Sequence, residues 1–317
     1  MSDIGHIRQS VIGAASAGDL EACLVHLRRR DIPDHERAWI YCQLSEVLFH
    51  NGDREVAVEC ARNAFNLQPE KEEVAHLCAW VFSNCGEHQD AVAAYEQLLA
   101  IRPDWAAGHR HASGSFAAAG QIERAISHGT TASDLDPTSL EFALHVACLL
   151  ETAGRLAQAA VYLMRAAALD PADTNVLRHL SATLFALEQS EQAVALALQA
   201  VAVAPADRLN ALHATELLLR TGRYDEAAAI ILDAVDQHRE DPVAFRLLSA
   251  TQMLRGLVED ALAAIDRALD LSPQMVEYHL HRAHLLHRLG RFDEAAEAVG
   301  RAAALDPSSS FPSDGLV

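Results

Sequence analysis

Histidines at a fixed spacing are the residues of this 317-residue chain best suited to do chemistry. Four follow one another at 34-residue intervals and a fifth lies two intervals beyond the fourth: His111, His145, His179, His213 and His281. A neutral imidazole offers one hydrogen-bond donor and one acceptor, which match the amide groups of an extended peptide. Histidine also titrates near pH 6.5. We therefore predict peptide binding along this row, with an affinity for acidic peptides that rises as the pH falls from about 7.5 to 6.

Arginine stands one residue before every second member of this series. Arg110 and Arg178 precede histidines, and Arg246 precedes Leu247, which interrupts the histidine row. A guanidinium binds a carboxylate through paired hydrogen bonds, so these arginines are candidates to bind acidic side chains of a ligand. Duplication of segments two at a time is an alternative explanation of the alternation. Under that explanation the copied histidines and arginines have no binding role.

The same 34-residue period extends through most of the chain. Eight segments, counted from Ala38, fill residues 38–309 without an insertion, and position 8 of each is serine, threonine or alanine. Glycine occupies position 15 and proline occupies position 32 in seven of the eight segments. Position 20 is always alanine: Ala57, Ala91, Ala125, Ala159, Ala193, Ala227, Ala261 and Ala295.

These residues predict two antiparallel helices in each segment. Small side chains at positions 8 and 20 let the helices approach closely. Glycine supplies the left-handed residue that ends the first helix, and proline stops the second. The pattern resembles the tetratricopeptide repeat, which implies an all-α fold, a right-handed α-solenoid of helix-turn-helix repeats. Eight regular repeats would fill residues 38–309, after a degenerate N-terminal helical hairpin over 1–37 and before a flexible tail over 310–317.

The resemblance also implies which residues bind. Positions 2, 5, 6, 9, 12 and 13 of each repeat, called the groove positions below, would line a concave surface that holds extended peptides. The histidine row occupies position 6, and the arginines occupy position 5. The version of this fold that clamps a terminal carboxylate requires a set of lysine, asparagine and arginine residues that no three consecutive repeats here supply, so we exclude it.

Three places depart from the regular pattern. Glu188 replaces the glycine of position 15, so a left-handed residue there would cost about 1 kcal/mol. The linker at residues 239–242 carries its proline three residues late, at Pro242, which predicts a changed angle between the flanking repeats. The last repeat has no helix after it to cover Ala295, Ala298 and the rest of its apolar face. That face is either tolerated in water or covered by a partner or a second copy of the chain.

Charge and composition exclude several classes of partner. The net charge of −19 argues against binding to nucleic acid or to an anionic membrane surface. No signal peptide and no run of about 18 apolar residues is recognisable. The six cysteines form no CxxC pair, which favours buried thiols in the reducing cytoplasm. Abundant arginine and alanine with a single lysine suggest a bacterial source.

No motif for catalysis or for a cofactor is present, including a phosphate-binding glycine-rich loop, GxSxG or HExxH. A metal site at His281, His284 and His287 is the weaker alternative to a solvated groove rim, because no further ligand completes it. The sequence therefore predicts a non-catalytic scaffold that binds a protein or peptide. A regulatory or substrate-recruiting subunit of a protein-modifying enzyme, such as a glycosyltransferase, is the alternative, and a catalytic groove is a third hypothesis.

Overall fold

The computed structural model describes residues 32–306 continuously and, before them, only His6, residues 9–11, Gly13, Ala14, Ala17 and Leu27. The predicted hairpin over 1–37 and tail over 310–317 therefore lie largely or wholly outside the described residues. Between residues 32 and 306 the chain forms sixteen helices and no strand. They are α1 (Asp34–His50), α2 (Arg54–Leu67), α3 (Glu72–Cys85), α4 (His88–Ile101), α5 (Ala106–Ala118), α6 (Ile122–Leu135), α7 (Leu140–Thr152), α8 (Leu156–Leu169), α9 (Thr174–Ala186), α10 (Ser190–Val203), α11 (Arg208–Arg220), α12 (Tyr224–Gln237), α13 (Pro242–Leu254), α14 (Val258–Leu271), α15 (Val276–Arg288) and α16 (Phe292–Leu305).

The turn within each repeat forms as the sequence predicts. All seven glycines at position 15 adopt left-handed backbone angles, with φ between 72° (Gly290) and 91° (Gly52). Glu188 adopts the same conformation, with φ of 62°, and it is the non-glycine residue with positive φ among those described. A side chain with a Cβ is strained in this region, so the predicted strain at Glu188 is present in the fold.

The residues at positions 8 and 20 bring the two helices of each repeat together. The position-20 alanines are fully buried in seven repeats and nearly so in the eighth, at Ala295. In three repeats the position-8 serine also ties the helices together, as when Ser113 Oγ donates to the carbonyl of Ala125 over 2.7 Å. Ser181 bonds Ala193 and Ser249 bonds Ala261 in the same way. In each of these three repeats, the close approach of the two helices and a buried hydrogen bond between them therefore occur at the same place.

The chain divides into two compact units, Met1–Tyr162 and Leu163–Val317, called the first and second unit below. In the first unit, helices α1 to α7 pack consecutively over a core that includes Phe82 and Phe116. In the second unit, helices α9 to α16 pack consecutively, with Ile231 and Ile265 among the fully buried side chains. Within the described residues, each helix is too short or too polar to cross a membrane.

Two boundaries differ from the sequence pattern. Helix α1 begins at Asp34, four residues before the first regular repeat, and Pro33 precedes it. Pro242 lies in the first turn of α13, where its missing N–H costs nothing, and Asp241 caps that helix by accepting a hydrogen bond from the Val243 amide. The late proline of this linker is thus a helix start. The predicted change of angle between the flanking repeats stays a prediction.

Candidate peptide-binding surface

Groove positions of the last three repeats, in the second unit, line a cleft with a volume of about 470 Å³. Helices α11, α13 and α15, the first helices of three successive repeats, form its walls. All ten of its lining residues occupy groove positions: Glu216, Leu219, Arg220, Arg246, Leu247, Ala250, Met253, Leu254, Glu277 and His281. The six groove positions are therefore all represented on one surface across these three repeats.

A cleft in the first unit, of about 390 Å³, has a different chemistry. Its walls include Arg110 and His111 together with two aromatic residues, Trp80 and Tyr95. The imidazole of His111 stacks on the Tyr95 ring with centroids 6.3 Å apart, and His50 stacks on Trp80 at 5.8 Å. The repeat pattern predicts Arg110 and His111 as site residues, but it does not predict Trp80. The available signal was a tryptophan at a groove position in a chain with only three tryptophans.

The position-5 arginines reach forward to the next repeat along the chain. Arg110 Nε lies 3.3 Å from a carboxylate oxygen of Glu141, and Arg246 Nη1 lies 3.9 Å from one of Glu277. Arg178 instead donates to the side-chain oxygens of Asn210, over 2.9 Å, and Asn175, over 2.7 Å. Each arginine is thus partly held by its neighbours, and among the described residues a long ion pair is the one polar contact of the Arg246 side chain. His179, next to Arg178 on α9, is half-buried.

Three histidines of the row take part in hydrogen-bond chains inside the protein. His145 Nε2 lies 2.8 Å from Ser113 Oγ, and the Ser113 hydroxyl donates to the Ala125 carbonyl. Because a carbonyl can only accept, the serine proton points to Ala125 and the imidazole Nε2–H must donate to the serine. The chain from histidine through serine to alanine is called the histidine–serine relay below.

The relay recurs twice in the second unit. His213 Nε2 lies 3.0 Å from Ser181 Oγ, and His281 Nε2 lies 2.9 Å from Ser249 Oγ. The relay requires serine at position 8 of one repeat and histidine at position 6 of the next. His111 has no such partner, because position 8 of the preceding repeat is Ala79, and its side chain is exposed. Relay histidines and the others in the row therefore have different surroundings.

Burial lowers the pKa of the relay histidines, and at His145 and His281 this contradicts the predicted titration between pH 7.5 and 6. Burial and, secondarily, Arg110 lower the pKa of His145 to about 4, and burial with His284 and Arg246 lowers that of His281 to about 4. Burial also lowers the pKa of His213, and partial desolvation together with the nearby Arg110 lowers that of His111, although part of the His111 ring remains exposed. The rings of His145 and His281 are therefore neutral from pH 6 to 7.5, so their charge cannot raise the affinity for acidic peptides.

The weaker metal hypothesis is not supported by the geometry at the last repeat. Among the described residues, His281, His284 and His287 do not form a group whose ligand atoms all lie within 4.8 Å of one another. The Nε2 atom of His281 is already bound to Ser249. These histidines are therefore spaced along the helix rather than gathered around one point.

Family models of the tetratricopeptide repeat match residues 40–71, 74–104, 182–243 and 255–310. The C-terminal part of a TPR repeat-containing protein from Cytophaga hutchinsonii has a similar structure, with a TM-score of 0.62 at 15% identity over 75% of this chain and 97% of that one. PilW, a type IV pilus biogenesis factor, gives 0.54 at 18% identity over 65% and 96%. YrrB, a TPR protein with an unusual peptide-binding site, gives 0.50 at 20% identity over 61% and 98%. No curated protein sequence matches this chain. At these identities the structural likeness concerns the fold.

Proposed function

Because this chain belongs to the tetratricopeptide repeat family, we propose that it is a non-catalytic scaffold that binds an extended segment of a partner protein at its groove positions. The observation that carries the proposal is the cleft of the second unit, whose lining residues all occupy those positions. Those positions follow from the repeat pattern and its resemblance to the tetratricopeptide repeat, and their agreement with a cleft in the structure supports a ligand-binding surface there. The peptide-binding site named for YrrB is consistent with this use of the fold.

The proposed site residues divide into two groups by their hydrogen bonds. Arg110, Arg178 and Arg246, with His111 and His179, are proposed to meet the ligand. The relay histidines His145, His213 and His281 are proposed to hold neighbouring helices in place beneath it. A neutral, internally bonded imidazole keeps the groove wall in one arrangement, and a preorganised wall loses less entropy when a peptide binds.

The experiment compares one substitution in the groove with the same substitution outside it. The full-length chain is screened against a phage library of random 12-residue peptides, and enriched peptides are titrated by fluorescence anisotropy. Ala250→Arg fills the floor of the second-unit cleft, whereas Ala229→Arg adds the same side chain at an exposed site on α12. We expect Ala250→Arg to weaken binding at least tenfold and Ala229→Arg to change it less than twofold.

Two outcomes would contradict the proposal. Equal binding by the two variants would mean that the ligand binds outside the groove positions of the second unit. If the library yields no specific peptide, the proposal of peptide binding is contradicted. Circular dichroism melting of both variants separates lost binding from lost folding. If the native partner captured by the wild-type chain but not by Ala250→Arg is an enzyme that modifies proteins, the recruiting role is favoured over a simple scaffold.

A further inference from the structure

The side chains of two arginines in the second-unit cleft, Arg220 and Arg246, make no hydrogen bond to any residue between 32 and 306. Arg246 has only the ion pair to Glu277, at 3.9 Å, which is too long for a hydrogen bond. Arg220 lies over the Phe185 ring, with its Cζ atom 4.4 Å from the ring centroid. Other arginines of this unit are bonded to carboxylates at 2.7 Å, as Arg282 is to Asp266. The N–H groups of Arg220 and Arg246 are therefore available to an incoming acceptor.

The other part of the cleft lining is largely apolar. Leu247 and Met253 are nearly buried, with 5% and 6% of their surface exposed, and Leu219 and Leu254 beside them are partly buried. These four side chains and Ala250 line the same cleft as the two guanidinium groups. An apolar floor beside unbonded guanidiniums suits a ligand that carries an aliphatic side chain and a carboxylate close together.

We propose that this cleft binds a peptide segment in which a leucine, isoleucine or methionine side chain enters the Leu247–Met253 floor while a neighbouring aspartate or glutamate side chain bonds Arg246 and Arg220. The inference rests on the proposed function and names the chemistry of its ligand.

The acidic residues of the cleft set the limits of this recognition. Glu277 must release Arg246, and its side chain is 62% exposed, so its return to water costs little. Glu216 also lines the cleft and makes no ion pair within 4 Å among the described residues. Its charge repels a second carboxylate on the ligand, so the site favours one acidic side chain for each aliphatic anchor over a run of acidic residues.

The test uses peptides that leave no free terminal carboxylate. An enriched library peptide is synthesised with an acetylated N-terminus and an amidated C-terminus, together with versions that carry Asp→Asn (or Glu→Gln) and aliphatic→Ala changes. Each is titrated by anisotropy against the full chain and against Arg246→Gln, Arg220→Gln and Arg301→Gln. Arg301 is the matched control, because it is exposed on α16 and pairs with Glu297 outside the cleft.

We expect Arg246→Gln and the amide version of the peptide each to raise Kd about tenfold, and the two changes together to raise it little further. That non-additivity shows that the arginine and the carboxylate bind each other. Arg220→Gln should give a smaller loss, and Arg301→Gln should change Kd less than twofold. The aliphatic→Ala peptide should bind at least tenfold more weakly to all forms.

The outcomes separate this inference from the proposal beneath it. Some peptides could lose binding with Ala250→Arg but bind Arg246→Gln as tightly as Arg301→Gln. That result would support binding in the groove and overturn the acidic–aliphatic motif. Peptides that bind only with a free C-terminus would overturn the side-chain version in favour of a terminal carboxylate. Absence of any peptide sensitive to Ala250→Arg would overturn both.

Discussion

At the scale of single residues, the role of a position-6 histidine depends on position 8 of the repeat before it. Ser113 accepts a hydrogen bond from His145, whereas Ala79 offers nothing to His111. A hydroxyl that already donates to a backbone carbonyl is a fixed acceptor, so it holds the imidazole in one orientation and one tautomer. Two histidines at the same repeat position can therefore differ, one holding helices together and the other exposed at the surface.

This difference predicts unequal stability losses for the same substitution. His145→Ala removes a hydrogen bond and a partly buried ring, and we expect the free energy of unfolding to fall by about 1–3 kcal/mol. His111→Ala removes a partly exposed ring that stacks on Tyr95 but makes no relay hydrogen bond, and it should cost less, about 0.5 kcal/mol. Urea denaturation followed by circular dichroism measures both losses. Equal losses would mean that the relay contributes nothing to stability.

The low pKa of His281 predicts acid sensitivity. Its pKa is about 4 in the fold and near 6.5 in the unfolded chain, so the unfolded chain binds more protons between these values. Its contribution to stability is therefore complete above pH 6.5 and is lost as the pH falls to about 4. We expect His281→Gln to reduce the stability difference between pH 7 and pH 4.5 by about 2 kcal/mol, measured by urea denaturation. An unchanged difference would show that burial does not hold this ring neutral.

The strained turn at Glu188 predicts a stabilising substitution. Its φ of 62° is the conformation that glycine adopts at the same position of the other seven repeats. Glu188→Gly should raise the free energy of unfolding by about 0.5–1 kcal/mol. The strain energy that it relieves is larger than the entropic cost of the extra freedom that glycine gives to the unfolded chain. Glu191→Gly, in the first turn of α10, is the control and should destabilise the chain. A loss of stability in Glu188→Gly would show that its side chain makes a favourable contact that outweighs the strain.

At the scale of helices and their connections, the repeat pattern predicts the hairpins but not the bonds between them. Glycine at position 15 and alanine at position 20 specify a turn and a close approach locally, so α3 to α16 follow from the sequence. The pairing of Ser113 with His145 requires two residues 32 apart to meet across neighbouring repeats. Taken alone, position 6 shows a recurring histidine and position 8 shows serine in every second repeat, and only the combination of the two positions indicates the relay. The start of α1 at Asp34 was missed because the residues before Ala38 lack the repeat pattern.

The connection between α12 and α13 has a specific bridge, which predicts a large effect at Asp241. The carboxylate of Asp241 is nearly buried, accepts from the Val243 amide at the start of α13, and bonds both Nε and Nη2 of Arg208. Burial alone would raise the pKa of Asp241, but the bonds from Arg208 and the helix amides lower it below its usual value. Asp241→Ala should therefore cost about 2–4 kcal/mol of the free energy of unfolding.

Asp207 provides the matched control for Asp241. It caps α11 through the amides of Leu209 and Asn210. Its described hydrogen bonds include none from an arginine, so Asp207→Ala should cost about 1 kcal/mol, the loss of a cap alone. Asp241→Asn keeps an oxygen for the cap and should fall between the two alanine variants. Equal losses for Asp241→Ala and Asp207→Ala would mean that the bridge to Arg208 adds nothing to the cap.

At the scale of the whole molecule, the backbone pattern recurs in every repeat, whereas the pattern of serine, arginine and relay histidine side chains recurs in every second repeat. Serine at position 8 and arginine at position 5 recur together in the third, fifth and seventh repeats. The histidine that bonds each serine occupies position 6 of the next repeat, the fourth, sixth or eighth. The duplication explanation accounts for the origin of this alternation, and the relay gives it a physical consequence. In each such pair, a histidine–serine relay joins the two repeats in addition to the packing of their helices.

Such a construction predicts local rather than global effects when a relay is removed. In an array, stability is approximately the sum of the repeats and of the contacts between neighbours, and opening occurs in cooperative segments. Hydrogen exchange followed by mass spectrometry on the full chain should show about tenfold faster exchange in α13 to α16 for His281→Ala. His145→Ala should do the same in α5 to α7. In each variant, exchange in the other unit should change less than twofold.

The two variants serve as controls for each other, because each removes the same side chain from the same repeat position. A uniform increase along all helices in both variants would contradict the prediction, since it would mean that amides exchange only through unfolding of the whole chain. Local increases would show that a relay stabilises its own pair of repeats. In that case the wall of the second-unit cleft, which contains His281, has a stability set largely by Ser249 and the two helices it joins. Ligand binding to that cleft should then slow exchange in α13 to α16 first, because a ligand stabilises the segment that contacts it.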